Sequence, residues 1–148
     1  MAEGNKPDAL EWLAYAEADL GVADHLFRTY HPKPLQITCF HCQQAAEKAI
    51  KSVIVFLGSE GGLPRKHDLF LLLNQIKNMV VIDGKFFDYA DMLAPYGVAM
   101  RYPNELPLEV RHAEMAISMA MEFVEWAKQI IVEEKRRKIL RENEIDRR

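Results

Sequence analysis

The sequence predicts an all-α protein, an antiparallel up-and-down bundle of four to five helices with a long C-terminal helix. Apolar residues recur at intervals of three and four through most of the 148 residues. No segment shows the strict alternation of a strand, and glycines and prolines separate the periodic stretches. The length suggests one domain. Its core spans about residues 8–132, and residues 133–148 form a charged helical extension or a frayed tail.

The first two helices are predicted over about residues 8–29 and 34–57. Asp8, directly after Pro7, is the expected start of the first, and Gly58 is the natural stop of the second. The first helix carries two adjoining stripes, so it is expected to touch two neighbours. These stripes are Leu13, Ala16, Leu20, Ala23 and Phe27, and Trp12, Tyr15, Val22 and Leu26.

Three further helices complete the predicted bundle. One spans about residues 67–78, and one spans about 85–99, where Pro95 is expected to kink or split it. The last helix is expected to begin near Pro107, because proline suits the first helical turn, and to continue to at least residue 134. Its stripe is Val110, Ala113, Ile117, Ala120, Val124, Ala127 and Ile131.

Composition excludes several classes of function. The net charge of −3 argues against a general nucleic-acid binder, although it leaves room for a local basic site. We see neither an apolar signal segment nor a membrane-spanning run, which predicts a cytoplasmic protein. Cys39 and Cys42 fall on the apolar stripe of the second helix and are interpreted as small buried hydrophobes. The sequence therefore predicts no metal site and no cofactor.

Two polar features leave alternatives open. A stripe of the second helix, formed by His41, Gln44, Lys48 and Lys51, is either a solvated face or a polar seam that lines an interface or cleft. At the start of the third helix, Asp68 or His67 is expected to act as the cap, and a ligand-facing His67 is the alternative. The basic run 135–138 could meet RNA or an acidic partner, but interleaved acids favour a solvated helix end.

Arg101-Tyr102-Pro103 lies in the break before the last helix. Pro103 biases Tyr102 towards an extended backbone, so the side chains of Arg101 and Tyr102 point to different sides. The fork of the Arg101 guanidinium suits two phosphate oxygens, and the Tyr102 ring suits stacking on a base. The alternative is that Tyr102 packs on the bundle while Arg101 pairs with an acid.

Several segments together resemble the HEPN domain, the higher-eukaryote and prokaryote nucleotide-binding helical domain. They are Trp12 with Ala18-Asp19-Leu20, Gln44-Ala45-Ala46-Glu47-Lys48, His67-Asp68-Leu69 and Arg101-Tyr102-Pro103. The resemblance covers about residues 8–132. It implies a four- or five-helix bundle, usually a homodimer. Many members are metal-independent RNases, often toxins of toxin–antitoxin pairs, and others are partners of small nucleotidyltransferases or bind nucleotides.

The RNase members carry an Arg followed, after four to six residues, by a His near the start of the last helix. Here ten residues separate Arg101 from His112. We therefore expect a non-catalytic or weakly active cytoplasmic homodimer that binds a nucleotide, a small nucleotidyltransferase partner, or both. The alternatives are a divergent RNase that uses Arg101 and His112, and a purely structural interaction module. The expected nucleotide-binding residues are Arg101, Tyr102, Gln44, Lys48 and His67.

Overall fold

The computed structural model describes residues 7–59, 61–63, 67–98 and 107–147. Within these ranges the chain forms five α-helices and one 3₁₀ turn, without a strand. The all-α class and the long last helix are therefore confirmed. The elements are α1 (Ala9–Thr29), α2 (Leu35–Leu57), α3 (Leu69–Ile76), α4 (Lys85–Leu93), the 3₁₀ turn (Ala94–Gly97) and α5 (Val110–Asp146).

Local chemistry sets most helix ends where the sequence predicts them. Asp8 caps α1, since its carboxylate accepts a hydrogen bond of 2.8 Å from the Glu11 amide. Gly58 ends α2 in the left-handed conformation, with φ of 61°, which glycine adopts without a steric penalty. Pro95 splits the predicted fourth helix, so α4 ends at Leu93 and the chain continues as a 3₁₀ turn.

Two predicted boundaries were wrong. The third helix covers only Leu69–Ile76, and the last begins at Val110 instead of near Pro107. The later start of α5 has a chemical reason. His112 Nδ1 accepts a hydrogen bond from the Glu109 amide at 2.9 Å, and the His112 amide donates to the Glu109 carbonyl at 3.0 Å, so the first turn closes on Glu109.

The core lies between α1, α2 and α5, and α3, α4 and the 3₁₀ turn pack beside α2. Helices α1 and α2 are antiparallel, because Trp12 faces Lys51 whereas Tyr15, later in α1, faces Lys48, earlier in α2. The predicted contact of α1 with two neighbours is confirmed, for α2 and α5. The prediction for its second stripe was partly wrong, because Tyr15 is 56% exposed and Val22 is 42% exposed.

The charged end of α5 stays helical to Asp146, so it is a continuous helix rather than a frayed tail. Ile131 is the last buried residue, and every described residue after it is exposed. In the part of the chain that the structure describes, no helix combines the length and apolar character needed to cross a membrane.

Candidate functional site

The polar stripe of α2 lies against other helices. Asp19 of α1 pairs with two residues of the stripe. The Lys48 ammonium lies 2.5 Å from Asp19 Oδ2, and His41 Nδ1 lies 2.9 Å from Asp19 Oδ1. The exposed fractions of these side chains are 13% for Asp19, 26% for Lys48 and 27% for His41. The stripe is therefore a polar seam between helices, and the interpretation as a solvated face is wrong.

Glu47 forms a second centre on α2, deeper in the protein. Its side chain is only 4% exposed, and its Oε2 lies 3.1 Å from the ammonium of Lys51, one turn further along α2. Lys51 is itself 9% exposed, and its Nζ lies 5.4 Å from the centre of the Trp12 ring. A buried carboxylate is tolerated when it is paired and hydrogen-bonded, which these contacts provide.

His67 completes this centre from the start of α3. Its Nδ1 lies 3.2 Å from both carboxylate oxygens of Glu47, while 75% of its side chain is exposed. An ionised carboxylate only accepts hydrogen bonds, so Nδ1 carries a proton and Nε2 is left for other contacts. Asp68 rather than His67 caps α3, accepting from the amides of Phe70 at 2.9 Å and Leu71 at 3.3 Å.

Two glutamines connect Glu47 to the surface. Gln43, 2% exposed, directs its Nε2 to Glu47 Oε1 at 3.4 Å, and its Oε1 accepts from Gln44 Nε2 at 2.7 Å. Gly97 of the 3₁₀ turn lies directly on the Gln43 amide. A Cβ at Gly97 would stand 2.9 Å from Gln43 Cδ, so any larger residue would fit only if the buried Gln43 amide moved.

These elements enclose a cleft of about 570 Å³. It brings Gln44 of α2 and His67 together beside Val98, the last described residue before Arg101. The described residues that line it are Gln43, Gln44, His67, Asp68, Ala94, Gly97 and Val98. Lys48, predicted for the same site, is not among them and pairs with Asp19 instead.

The sequence interpretation missed Gln43 and Glu47 as parts of this site. The spacing of four residues, from Gln43 to Glu47 and from Glu47 to Lys51, was the available signal. It did not reveal that Glu47 faces inward, because the polar stripe and the buried face share one helix. Arg101 and Tyr102 lie outside the described residues.

The described lining of the cleft suits hydrogen bonding more than charge neutralisation. It offers amide groups and one imidazole, together with the Asp68 carboxylate, but neither Lys nor Arg. The amides at the start of α3 are already occupied by Asp68, so this helix end does not provide a free anion site. A phosphate in the cleft would need a cation from another segment.

His112 has a structural role at the start of α5, where its Nδ1 accepts the Glu109 amide. The neighbouring Arg111 pairs with Glu109, with 2.7 Å between Arg111 Nε and Glu109 Oε2. The His112 ring is therefore engaged at the start of α5.

The two cysteines are free and buried in the core. Burial raises the pKa of Cys39 to about 11. Burial, followed by the charge of Cys39, raises the pKa of Cys42. Neutral thiols are poor metal ligands and poor nucleophiles. The residues that the structure describes contain no group of three or more His, Cys, Asp or Glu placed to hold a metal ion.

The described helices form an all-α bundle that is built on α1, α2 and α5. The model of the HEPN domain family matches residues 9–131, and the chain belongs to that family. Among solved structures it is similar to TT1696 from Thermus thermophilus, with 24% identity, a TM-score of 0.68, and coverage of 82% of this chain and 96% of that one. It is also similar to ST0689, an archaeal HEPN homologue, with 24% identity, a TM-score of 0.65, and coverage of 85% and 99%. A comparison with curated proteins gives no match.

Proposed function

We propose that this HEPN protein binds a nucleotide, free or presented by a small nucleotidyltransferase partner, in the cleft beside α2 and does not cleave RNA. The observation that carries the proposal is the convergence of Gln44 and His67, 23 positions apart in sequence, on one cleft next to Val98. Ligand sites are typically concave, with a few convergent polar groups. This cleft has that character.

The proposed division of roles follows from the lining. Gln44 and His67 Nε2 contact the base or ribose, since both offer hydrogen-bonding groups at the cleft. Arg101 supplies the cation for phosphate and Tyr102 the ring for stacking. Arg101 follows Val98 of the cleft lining by three positions in the sequence. Lys48 acts indirectly by holding α2 against α1 through Asp19.

Glu47 is proposed as the residue that positions the site. It holds His67 by Nδ1 and orients Gln43, which in turn fixes Gln44. A side chain locked by buried partners loses less conformational entropy when a ligand binds. Glu47 therefore contributes to binding without a contact to the ligand.

Calorimetric titration of the protein with ATP and GTP tests the proposal. We expect saturable binding that weakens about 10- to 100-fold in Arg101→Ala, the usual loss when a charge-assisted contact is removed. Gln44→Ala should weaken it less, because a neutral hydrogen bond contributes less. Arg28→Ala is the matched control, since Arg28 is exposed and pairs only locally with Asp24.

Thermal melting separates binding from a purely structural role of Arg101. If Arg101→Ala lowers the melting temperature equally with and without nucleotide, Arg101 stabilises the fold and the binding role is wrong. A lack of binding by any nucleotide, for the protein with or without a transferase partner, removes the ligand part of the proposal. The proposed homodimer is tested by light scattering after size-exclusion chromatography.

The divergent RNase that would use Arg101 and His112 has a separate test. His112 Nδ1 is engaged in the α5 cap, so proton transfer at that atom would disrupt the helix start. We expect labelled RNA to stay intact after long incubation with the pure protein. Cleavage that disappears in both Arg101→Ala and His112→Ala would establish the RNase instead.

A further inference from the structure

A second concave surface lies at the far end of α2, where α5 passes over it. It consists of two adjoining cavities of about 570 and 490 Å³, which share Phe56 and Glu134, and we call them together the end groove. Phe56 is thirteen residues from Gln43, or about 20 Å along the helix, so the end groove is distinct from the cleft.

One half of the end groove is apolar. Val81 is 90% exposed and Met79 48%, both in the connection between α3 and α4. Large apolar side chains exposed together at a concave surface mark an interaction site more often than isolated ones do. The apolar lining consists of Phe56, Leu57, Met79, Val80, Val81, Trp126 and Ile130.

The other half is basic and belongs to the exposed extension of α5. Lys135, Lys138 and Arg141 line the cavity beside Phe56, against the single acid Glu134. Their spacing of three residues places them on one side of the helix. The family match ends at residue 131, so these cations lie beyond the part that the HEPN family shares.

We infer that the end groove docks a protein segment that carries apolar side chains at one end and acidic side chains at the other. The apolar half excludes water from such side chains, and the three cations complement the acids. A nucleic acid fits less well, because the apolar half of the groove would stay uncovered. Docking of this kind provides attachment to a partner independently of the nucleotide cleft.

The spacing along α5 specifies the partner segment further. Ile130 and Lys138 are eight residues apart, which corresponds to about 12 Å along the helix. A helical partner segment would therefore place its acids about two turns from its apolar anchors. An extended segment would place them about four residues away.

Phage display of random 16-residue peptides on the intact protein tests the inference, with affinities of the selected synthetic peptides measured by fluorescence anisotropy. We expect enrichment of peptides in which a group of apolar residues lies beside Asp or Glu, in either order along the chain. Arg141→Glu and Val81→Asp should each weaken binding about tenfold or more, through like-charge repulsion and a charge in the apolar half. Arg136→Glu is the matched control, because it reverses the same charge on the same helix outside the groove lining.

Each other outcome overturns the inference. It is wrong if no peptides are enriched, if the enriched peptides lack acids, or if Arg141→Glu and Arg136→Glu have the same effect. A labelled 16-nucleotide RNA that binds in place of the peptides, with loss in Arg141→Glu, would identify a nucleic-acid surface. A change from dimer to monomer in Arg141→Glu would show that a second copy occupies the groove.

Discussion

Two polar regions of this chain differ in their surroundings. The seam of α2 has partners fixed by neighbouring helices: Asp19 receives Lys48 and His41, and Glu47 receives Lys51. The extension of α5 after Ile131 is much richer in charge, but each of its residues that the structure describes is exposed. The contribution of a charged helical stripe to stability therefore depends on the element that covers it.

The largest effect should come from breaking the buried pair. Glu47→Ala leaves the Lys51 ammonium buried without its carboxylate, which costs about 3–5 kcal/mol of unfolding free energy. Urea denaturation, monitored by circular dichroism, measures this loss of unfolding free energy. The double variant Glu47→Leu/Lys51→Met should recover much of the loss, because an apolar pair leaves no uncompensated charge. A loss below about 1 kcal/mol in Glu47→Ala would show that the pair is solvated.

The packing of the 3₁₀ turn against α2 is tested at Gly97. Gly97→Ala forces a methyl group against the buried amide of Gln43, and we expect a loss of about 1–3 kcal/mol together with weaker nucleotide binding. Gly21→Ala is the matched control: no atom lies within 4 Å of the position that its methyl group would take in α1, so stability should rise by about 1 kcal/mol. Equal effects of the two substitutions would contradict the contact.

The partly buried centre at Asp19 should matter less than Glu47. Asp19→Ala removes the partner of Lys48 and His41, and we expect a loss of about 1–2 kcal/mol in urea denaturation. Asp24→Ala in the same helix breaks the exposed pair with Arg28 and should cost at most about 0.5 kcal/mol. Equal losses in the two variants would show that the Asp19 pairs stabilise the fold no more than an exposed ion pair does.

Glu122 provides an exposed ion pair whose pH dependence can be followed. Hydrogen bonds from Lys85, at 2.8 Å, and Tyr89, at 2.6 Å, lower the pKa of Glu122 from 4.5. A lowered folded-state pKa adds stability above the unfolded value, and this stability is lost as pH falls through the folded value. Glu122→Gln should therefore be slightly destabilising near pH 7, and the difference in unfolding free energy from the unsubstituted protein should shrink as pH falls below 4.5. A loss at pH 3 as large as that at pH 7 would contradict this assignment.

The smallest effect is expected in the α5 extension. Arg136→Ala removes an exposed charge and should change the unfolding free energy by less than about 0.5 kcal/mol. Thermal melting of this variant, beside Asp19→Ala, completes the comparison of exposed and covered charges. A large change would mean that the extension is packed in solution, against a second copy or another segment.

The candidate site could be predicted only in part. Gln44 and His67 were named from the sequence, and the structure places both at one cleft. The inward direction of Glu47 and the contact of Gly97 with Gln43 were not foreseen, since each depends on another element packing against α2. Periodicity describes the faces of one helix, but it does not identify what covers each face.

Local sequence patterns specify the all-α class, the apolar stripes and most helix ends, because these follow from residue spacing and from caps within a few positions of one another. Tertiary structure decided which polar residues are buried in pairs, which line the cleft and which stay in water. Those outcomes depend on contacts such as Asp19 with Lys48 and Glu47 with His67, which join residues 29 and 20 positions apart. Such pairs form only when the helices pack, so local patterns cannot specify them.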